Sequence, residues 1–182
     1  MISASDVIDI RVSPSELAFA SRLAKSAEIG GASAIGSPQR LENLSEDQRT
    51  GMLANYAFAK WIGHRELWRI GRWCQDGTPR NGDGGYDLPT LRVDVKGSLL
   101  RTNLQPLDHH LWVRQPEWHD GWTYVLALVK QSLDVVTLVG WATSEMFPPE
   151  WVNGTHGKPR RELRANLLKP LPPLHWERER GI

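Results

Sequence analysis

An α/β fold with a small mixed sheet is the class that the sequence predicts, from the order of its segment patterns. Two amphipathic segments with helix signals come first, and three segments with strand patterns follow them. A further stretch from Arg160 to Leu168 is compatible with a helix. We therefore expect a sheet flanked by helices in one domain over residues 1–170, followed by an extended tail over residues 171–182.

The two helices have recognisable ends. Ser13 can cap the first helix while Glu16 bonds back to the cap, and we expect this helix to run to Gly30. A second helix is predicted to begin near Ser45 and to continue at helical spacing to Gly63.

The strand signals lie in the second half of the chain. Residues 73–85 are rich in Gly, Asp, Asn and Pro, which indicates a loop. Residues 91–96 alternate between apolar and polar, whereas residues 124–129 and 135–142 are almost entirely apolar. We expect the last two segments to be central strands that are covered on both faces.

Composition limits the classes of function. A chain of 182 residues can bury a real core, and its single cysteine, Cys74, excludes an intrachain disulfide and a multi-cysteine zinc site. The 22 basic and 21 acidic residues give a net charge of +1, so any attraction for nucleic acid must be local. The basic stretch over residues 158–169 is one local candidate, and a solvated helix face explains it equally well.

The first residues and the hydropathy of the chain indicate where in the cell the protein is found. The first residues have neither the basic start nor the apolar run of a signal peptide, and no segment is long enough to span a bilayer. We therefore expect a cytoplasmic protein with no membrane partner.

The segment from Asp87 to Lys96 contains the candidate metal-binding and catalytic residues. Side chains alternate along a strand, so Arg92, Asp94 and Lys96 share a face, which would be costly to bury without a partner or a purpose. A hairpin could bring Asp87, which follows a glycine-rich approach, beside Asp94. Two neighbouring carboxylates attract a hard cation such as Mg²⁺ or Mn²⁺. Lys96 lies about 7 Å along the strand from Asp94 and can reach the same volume.

Asp87, a short gap and then Asp94-Val95-Lys96 resemble the signature of the PD-(D/E)XK, or restriction-endonuclease-like, nuclease superfamily. The resemblance covers roughly residues 51–143 and is closest to small phage and bacterial members. It implies a restriction-endonuclease-like core and hydrolysis of phosphodiester bonds, which we expect to be those of DNA in a bacterial or phage-infected cell. By the same resemblance Asp87, Asp94 and the Val95 carbonyl bind Mg²⁺, and Lys96 is the catalytic lysine.

Two positions depart from the family pattern. Tyr86 stands where the family has a Pro before the leading Asp, a change that many members tolerate. Asn55 stands where the preceding helix often supplies a Glu to the metal site. Asn55 can still ligate through its amide oxygen, but it contributes no charge. One-metal catalysis and an enzyme weakened for cleavage both stay open.

Several basic residues are candidates for phosphate contacts, since phosphates dominate the binding of nucleic acid. They are Arg92, Arg101, Arg114, Lys158, Arg160, Arg161 and Arg164. A homodimer would suit double-strand cutting.

Three other readings explain the same residues. Asp94 could form a structural salt bridge with Lys96 or Arg92. Residues 81–85 space oxygen donors around glycines as a calcium loop does, although the terminal Glu of such a loop is missing. The third reading is a different class of function: a nucleic-acid-binding or assembly protein that kept the fold and lost catalytic turnover.

Overall fold

The computed structural model describes residues 2–29, 38–63, 91–154 and 159–171. Their helices and strands, in chain order, are β1 (Ile8–Arg11), α1 (Pro14–Ile29), α2 (Pro38–Trp61), β2 (Val93–Leu99), β3 (His110–Arg114), β4 (Thr123–Val129), β5 (Val135–Thr143), β6 (Val152–Asn153) and β7 (Pro159–Arg164). The predicted α/β class is confirmed, whereas the predicted loop over residues 73–85 lies outside the described residues.

Seven strands form two sheets within the described part of the chain. The first sheet has the order β1-β5-β4-β2 and is mixed, because β2 runs parallel to β4 while the other neighbours are antiparallel. The second sheet has the order β3-β7-β6 and is antiparallel. Every residue of β4 is buried, which confirms the prediction of a strand covered on both faces.

The core is divided between the two faces of the first sheet. On one face, Leu53, Ala54 and Phe58 of α2 pack with Val93 and Val95 of β2. On the other face, inward residues of the second sheet pack against the first, and this cluster includes Leu111, Val113, Leu163, Tyr124, Leu126 and Leu128. The molecule therefore has helices on one side of the central sheet and a second sheet on the other.

The start of α1 has the predicted capping box. The Ser13 N–H donates to Glu16 Oε2 at 2.7 Å, and the Glu16 N–H donates to Ser13 Oγ at 3.3 Å. Glu16 also accepts hydrogen bonds from Tyr56 and from Lys60, whose Nζ lies 3.1 Å away. This one carboxylate caps α1 and ties it to α2.

Gly97 allows α2 to lie close to β2. A Cβ atom at this position would come within 2.8 Å of the Ala54 Cβ and 3.0 Å of the Thr50 carbonyl oxygen. Because Gly97 points toward α2, Asp94 and Lys96 point toward the other face of the sheet.

Several elements differ from prediction. Strand β2 covers Val93–Leu99 rather than residues 91–96, and β1 and β6 were not predicted. Helix α2 begins at Pro38 rather than near Ser45, which is reasonable because the fixed φ of proline suits a first turn. The stretch predicted as a helix from Arg160 to Leu168 is wrong: β7 covers Pro159–Arg164, and a short 3-10 turn follows. Pairing with β3 buries Leu163 on one face of this strand.

The predicted tail begins inside the core, since Leu171 is buried. Residues 172–182 lie outside the described part of the chain. Among the helices that the structure describes, none is long and apolar enough to cross a bilayer.

Candidate active site

Asp94 and Lys96 form a close pair on β2. They share a face, as the sequence predicts, and Lys96 Nζ lies 2.8 Å from Asp94 Oδ2. Asp94 is only 3% exposed, next to the fully buried Tyr124 of the neighbouring strand. The strand therefore holds a buried carboxylate and an amine in direct contact. The structural salt-bridge reading requires this contact, and the catalytic reading is compatible with it.

Glu117 is a third member of this group, and the sequence did not reveal it. Lys96 Nζ donates to Glu117 Oε2 at 2.7 Å. Glu117 ends the 3-10 turn Gln115–Glu117, which follows β3 of the second sheet. The proline at position 116 marks a turn, but no spacing rule links this acid to a lysine 21 residues earlier.

The two carboxylates control the charge of Lys96. Burial acts to lower the pKa of Lys96, but the charges of Asp94 and Glu117 and their hydrogen bonds raise that pKa above its ordinary value. Lys96 is therefore protonated at neutral pH. It can donate hydrogen bonds and supply positive charge, but it is not a proton acceptor.

Aromatic packing fixes the turn that carries Glu117. The Trp118 ring stacks on Tyr124 with centroids 5.6 Å apart and meets Phe147 edge-on at 5.3 Å. The guanidinium of Arg161 lies 4.3 Å from the centroid of Trp118 and 4.7 Å from that of Trp151. Arg161, a predicted phosphate contact, thus lies between two tryptophan rings beside the site.

A cleft of about 180 Å³ opens beside Lys96. Its lining includes Ser98, His110, Trp112, Arg114 and Glu117. Arg114 Nη1 lies 3.6 Å from Glu117 Oε1. The Arg114 and Arg160 guanidinium carbons lie 5.2 and 5.6 Å from the centroid of Trp112. Two predicted phosphate contacts, Arg114 and Arg160, are thus brought to an aromatic ring near Lys96.

The other predicted phosphate contacts are dispersed. Arg92 is exposed just before β2 and has a positive φ of 51°. Arg101 lines a separate cleft of about 990 Å³ beyond the other end of β2, together with Asp9 and Lys130. Arg164 is exposed at the end of β7. Lys158 lies outside the described residues.

The predicted metal ligands are only partly visible. Asp94 and the Val95 carbonyl belong to β2, and their oxygen atoms are donors that Mg²⁺ prefers. Asn55 is half-buried on α2, which packs against the opposite face of β2. Asp87, Tyr86 and the calcium-loop reading of residues 81–85 lie outside the described residues.

No cluster of three or more acidic, histidine or cysteine side chains able to hold a metal occurs in residues 2–29, 38–63, 91–154 and 159–171. Asp94 supplies one carboxylate of the expected kind, and the second carboxylate of the predicted set is Asp87. Asp94 and the Val95 carbonyl are oxygen donors of the kind that Mg²⁺ prefers. The other predicted ligand, Asp87, lies outside the described residues.

No protein-family model matches the sequence, no curated protein matches it, and no solved structure matches the fold. The chain's own residues are therefore the basis on which a function can be assigned.

Proposed function

We propose that the protein is a metal-dependent nuclease of the PD-(D/E)XK type that hydrolyses phosphodiester bonds, in DNA. The observation that carries the proposal is the Asp94–Lys96 pair. A carboxylate that is 3% exposed contacts a protonated amine at 2.8 Å on one face of a strand. Such a pair beside an open cleft that also presents Arg114 is suited to phosphate chemistry rather than to packing alone.

The surrounding architecture supports the same proposal. The DXK strand β2 follows the helix α2 in the chain, lies parallel to β4 and belongs to a small mixed sheet. A restriction-endonuclease-like core is of this kind, with the catalytic strand against a helix. The cleft beside Lys96 gives a phosphate access to the site.

Lys96 has a defined role in the proposed reaction. Hydrolysis forms a P–O bond from water, which loses a proton to the solvent, and breaks the P–O bond to the leaving oxygen, which takes up a proton. Negative charge grows on the phosphate oxygens as the new bond forms. Lys96 is held protonated and donates hydrogen bonds to one of these oxygens, which stabilises the transition state.

The carboxylates have a separate role. Asp87, Asp94 and the Val95 carbonyl would hold Mg²⁺ or Mn²⁺, which when bound supplies positive charge at the reacting phosphate. Asp94 also orients Lys96 through their ion pair. Asp94 would therefore act on the phosphate through the bound cation, whereas Lys96 would act on it directly.

The second candidate is a nucleic-acid-binding or assembly protein on the same fold without turnover. Two observations favour it. Glu117 contacts Lys96 at 2.7 Å and competes with a phosphate for that amine. Asn55 brings no charge to the position where the family often has a Glu.

A cleavage assay separates the two candidates. Plasmid, linear duplex and single-stranded DNA are incubated with the protein in Mg²⁺, Mn²⁺ or EDTA. We expect cleavage of at least one of these DNA forms with either cation and none in EDTA. Asp94→Asn and Lys96→Ala should each lower the rate by about 100- to 1,000-fold, as loss of a transition-state charge contact does.

Lys130→Ala is the matched control, because Lys130 also pairs with an aspartate, Asp9 at 3.1 Å, but lines the other cleft. Its cleavage rate should equal that of the unchanged protein. Intact substrate with retained DNA binding would support the second candidate. Equal cleavage by Lys96→Ala and Lys130→Ala would exclude the proposed role of Lys96.

A further inference from the structure

We propose that the cleft beside Lys96 binds one unpaired nucleotide of a nucleic acid, with its base stacked on Trp112 and its phosphate at Arg114. This inference rests on the proposed function and names its substrate class: strands with unpaired bases rather than continuous duplex. Three features of the cleft carry it.

The first feature is the placement of Trp112. Leu111 and Val113 are buried on the inner side of β3, so Trp112 between them lies on the outer side, where it lines the cleft. The guanidinium groups of Arg114 and Arg160 lie within cation–π distance of its ring. Aromatic rings beside basic residues form the stacking platforms of single-strand binders. A base within a duplex has both faces stacked and cannot use such a ring.

The second feature is the position of the Glu117 carboxylate. Lys96 from β2 lies 2.7 Å from one oxygen, and Arg114 from β3 lies 3.6 Å from the other. Two cations from different sheets thus converge on a single anion. A phosphate presents the same charge and similar acceptors to them. The Glu117 side chain is 32% exposed, so it can turn to solvent when a phosphate takes its place.

The third feature is size. The cleft of about 180 Å³ is smaller than the roughly 300–1,000 Å³ of pockets for drug-sized ligands. Because the cleft is open to solvent, it can take one nucleotide that stays partly outside it, but not a double helix. A chain entering it would have to present one nucleotide at a time.

Binding in EDTA tests the inference without requiring cleavage. The affinities of labelled oligothymidylate, oligouridylate and a mixed-sequence duplex of equal length are measured by fluorescence anisotropy. Trp112→Ala should weaken binding of the single strands by about 5- to 150-fold, the loss of one base–aromatic stack, and should change duplex binding less than about twofold. Trp112→Phe should keep most of the affinity because it keeps an aromatic ring, and the retained duplex binding of Trp112→Ala shows that this variant is folded.

A second pair of variants tests the anion position. Glu117→Gln should tighten single-strand binding about tenfold, because it removes one competing charge from the phosphate position. Asp134→Asn removes the same charge from the exposed turn between β4 and β5, and should change binding less than about twofold.

The inference is overturned if the single strands do not bind, if Trp112→Ala weakens single strands and duplex equally, or if Glu117→Gln behaves like Asp134→Asn. Oligouridylate and oligothymidylate differ in the sugar and in the 5-methyl group of the base, and a Trp112-dependent stack on either supports the inference. Single-strand binding without cleavage in Mg²⁺ would uphold the inference and reject the nuclease. Cleavage that does not depend on Trp112 would support the nuclease and reject the inference.

Discussion

The ammonium group of Lys96 lies 2.7 Å from the carboxylate of Glu117, although the two residues are separated by 21 positions in the chain. The contact joins β2, an outer strand of the first sheet, to the turn that follows β3, an outer strand of the second. Lys96 thus stands between two carboxylates, one almost fully buried and one facing the cleft. Its charge is important for stability as well as for the proposed chemistry.

Replacing Lys96 with methionine should lower the free energy of unfolding by about 3 kcal/mol. The reason is that Asp94, which is only 3% exposed, loses the positive charge that it contacts. Urea unfolding at pH 7 measures this change. The double variant Lys96→Met/Asp94→Asn should recover most of the loss, because the buried negative charge is then gone too. A loss below about 0.5 kcal/mol in the single variant would show that Asp94 does not depend on Lys96.

Glu16 should make stability depend on pH in the acid range. Burial acts to raise the pKa of Glu16, but hydrogen bonds from Ser13, Tyr56 and Lys60 lower it from 4.5 to about 2. A depressed folded-state pKa gives stability that is complete above pH 4.5 and is lost as the pH falls toward 2.

Glu16→Gln should therefore be less stable than the unchanged protein by about 2 kcal/mol at pH 7, and this difference should shrink as the pH falls below 4.5. Urea unfolding of both proteins between pH 7 and pH 3 measures the difference. A difference that stays constant over this range would contradict the assigned pKa.

Gly97→Ala should lower the free energy of unfolding by about 1–3 kcal/mol, because the added methyl group would lie 2.8 Å from the Ala54 Cβ and 3.0 Å from a backbone oxygen. Thermal unfolding measures the change. Gly51→Ala is the matched control on α2, since a Cβ there meets nothing within 4 Å. It should raise stability by about 0.5–1 kcal/mol through helix propensity. Equal effects of the two changes would contradict the close approach of α2 to β2.

The elements that the sequence predicted are those with local signals. The capping box at Ser13 determined the start of α1, and the long apolar runs of β4 and β5 identified the centre of the sheet. Strand β7 was misassigned because its Arg, Glu and Leu residues favour helices. Its conformation is decided instead by pairing with β3, a distant segment whose register cannot be read locally.

The residues of the candidate site also differ in whether a local sequence pattern predicts them. Strand alternation was enough to place Asp94 and Lys96 on one face of β2, and the structure confirms this. Glu117 could not be predicted, because its approach depends on how the two sheets pack and on the aromatic contacts of Trp118. The meeting of Asp87 with Asp94 stays a prediction.

The central claim is that Asp94 binds a divalent cation while Lys96 acts on the phosphate. Titration of Mn²⁺ followed by electron paramagnetic resonance tests it most directly, with Asp94→Asn and Lys96→Met beside the unchanged protein. We expect Asp94→Asn to weaken Mn²⁺ binding at least about tenfold, and Lys96→Met to bind as well or more tightly, because a competing positive charge is removed. Failure of the unchanged protein to bind Mn²⁺, or equal binding by Asp94→Asn, would contradict the claim.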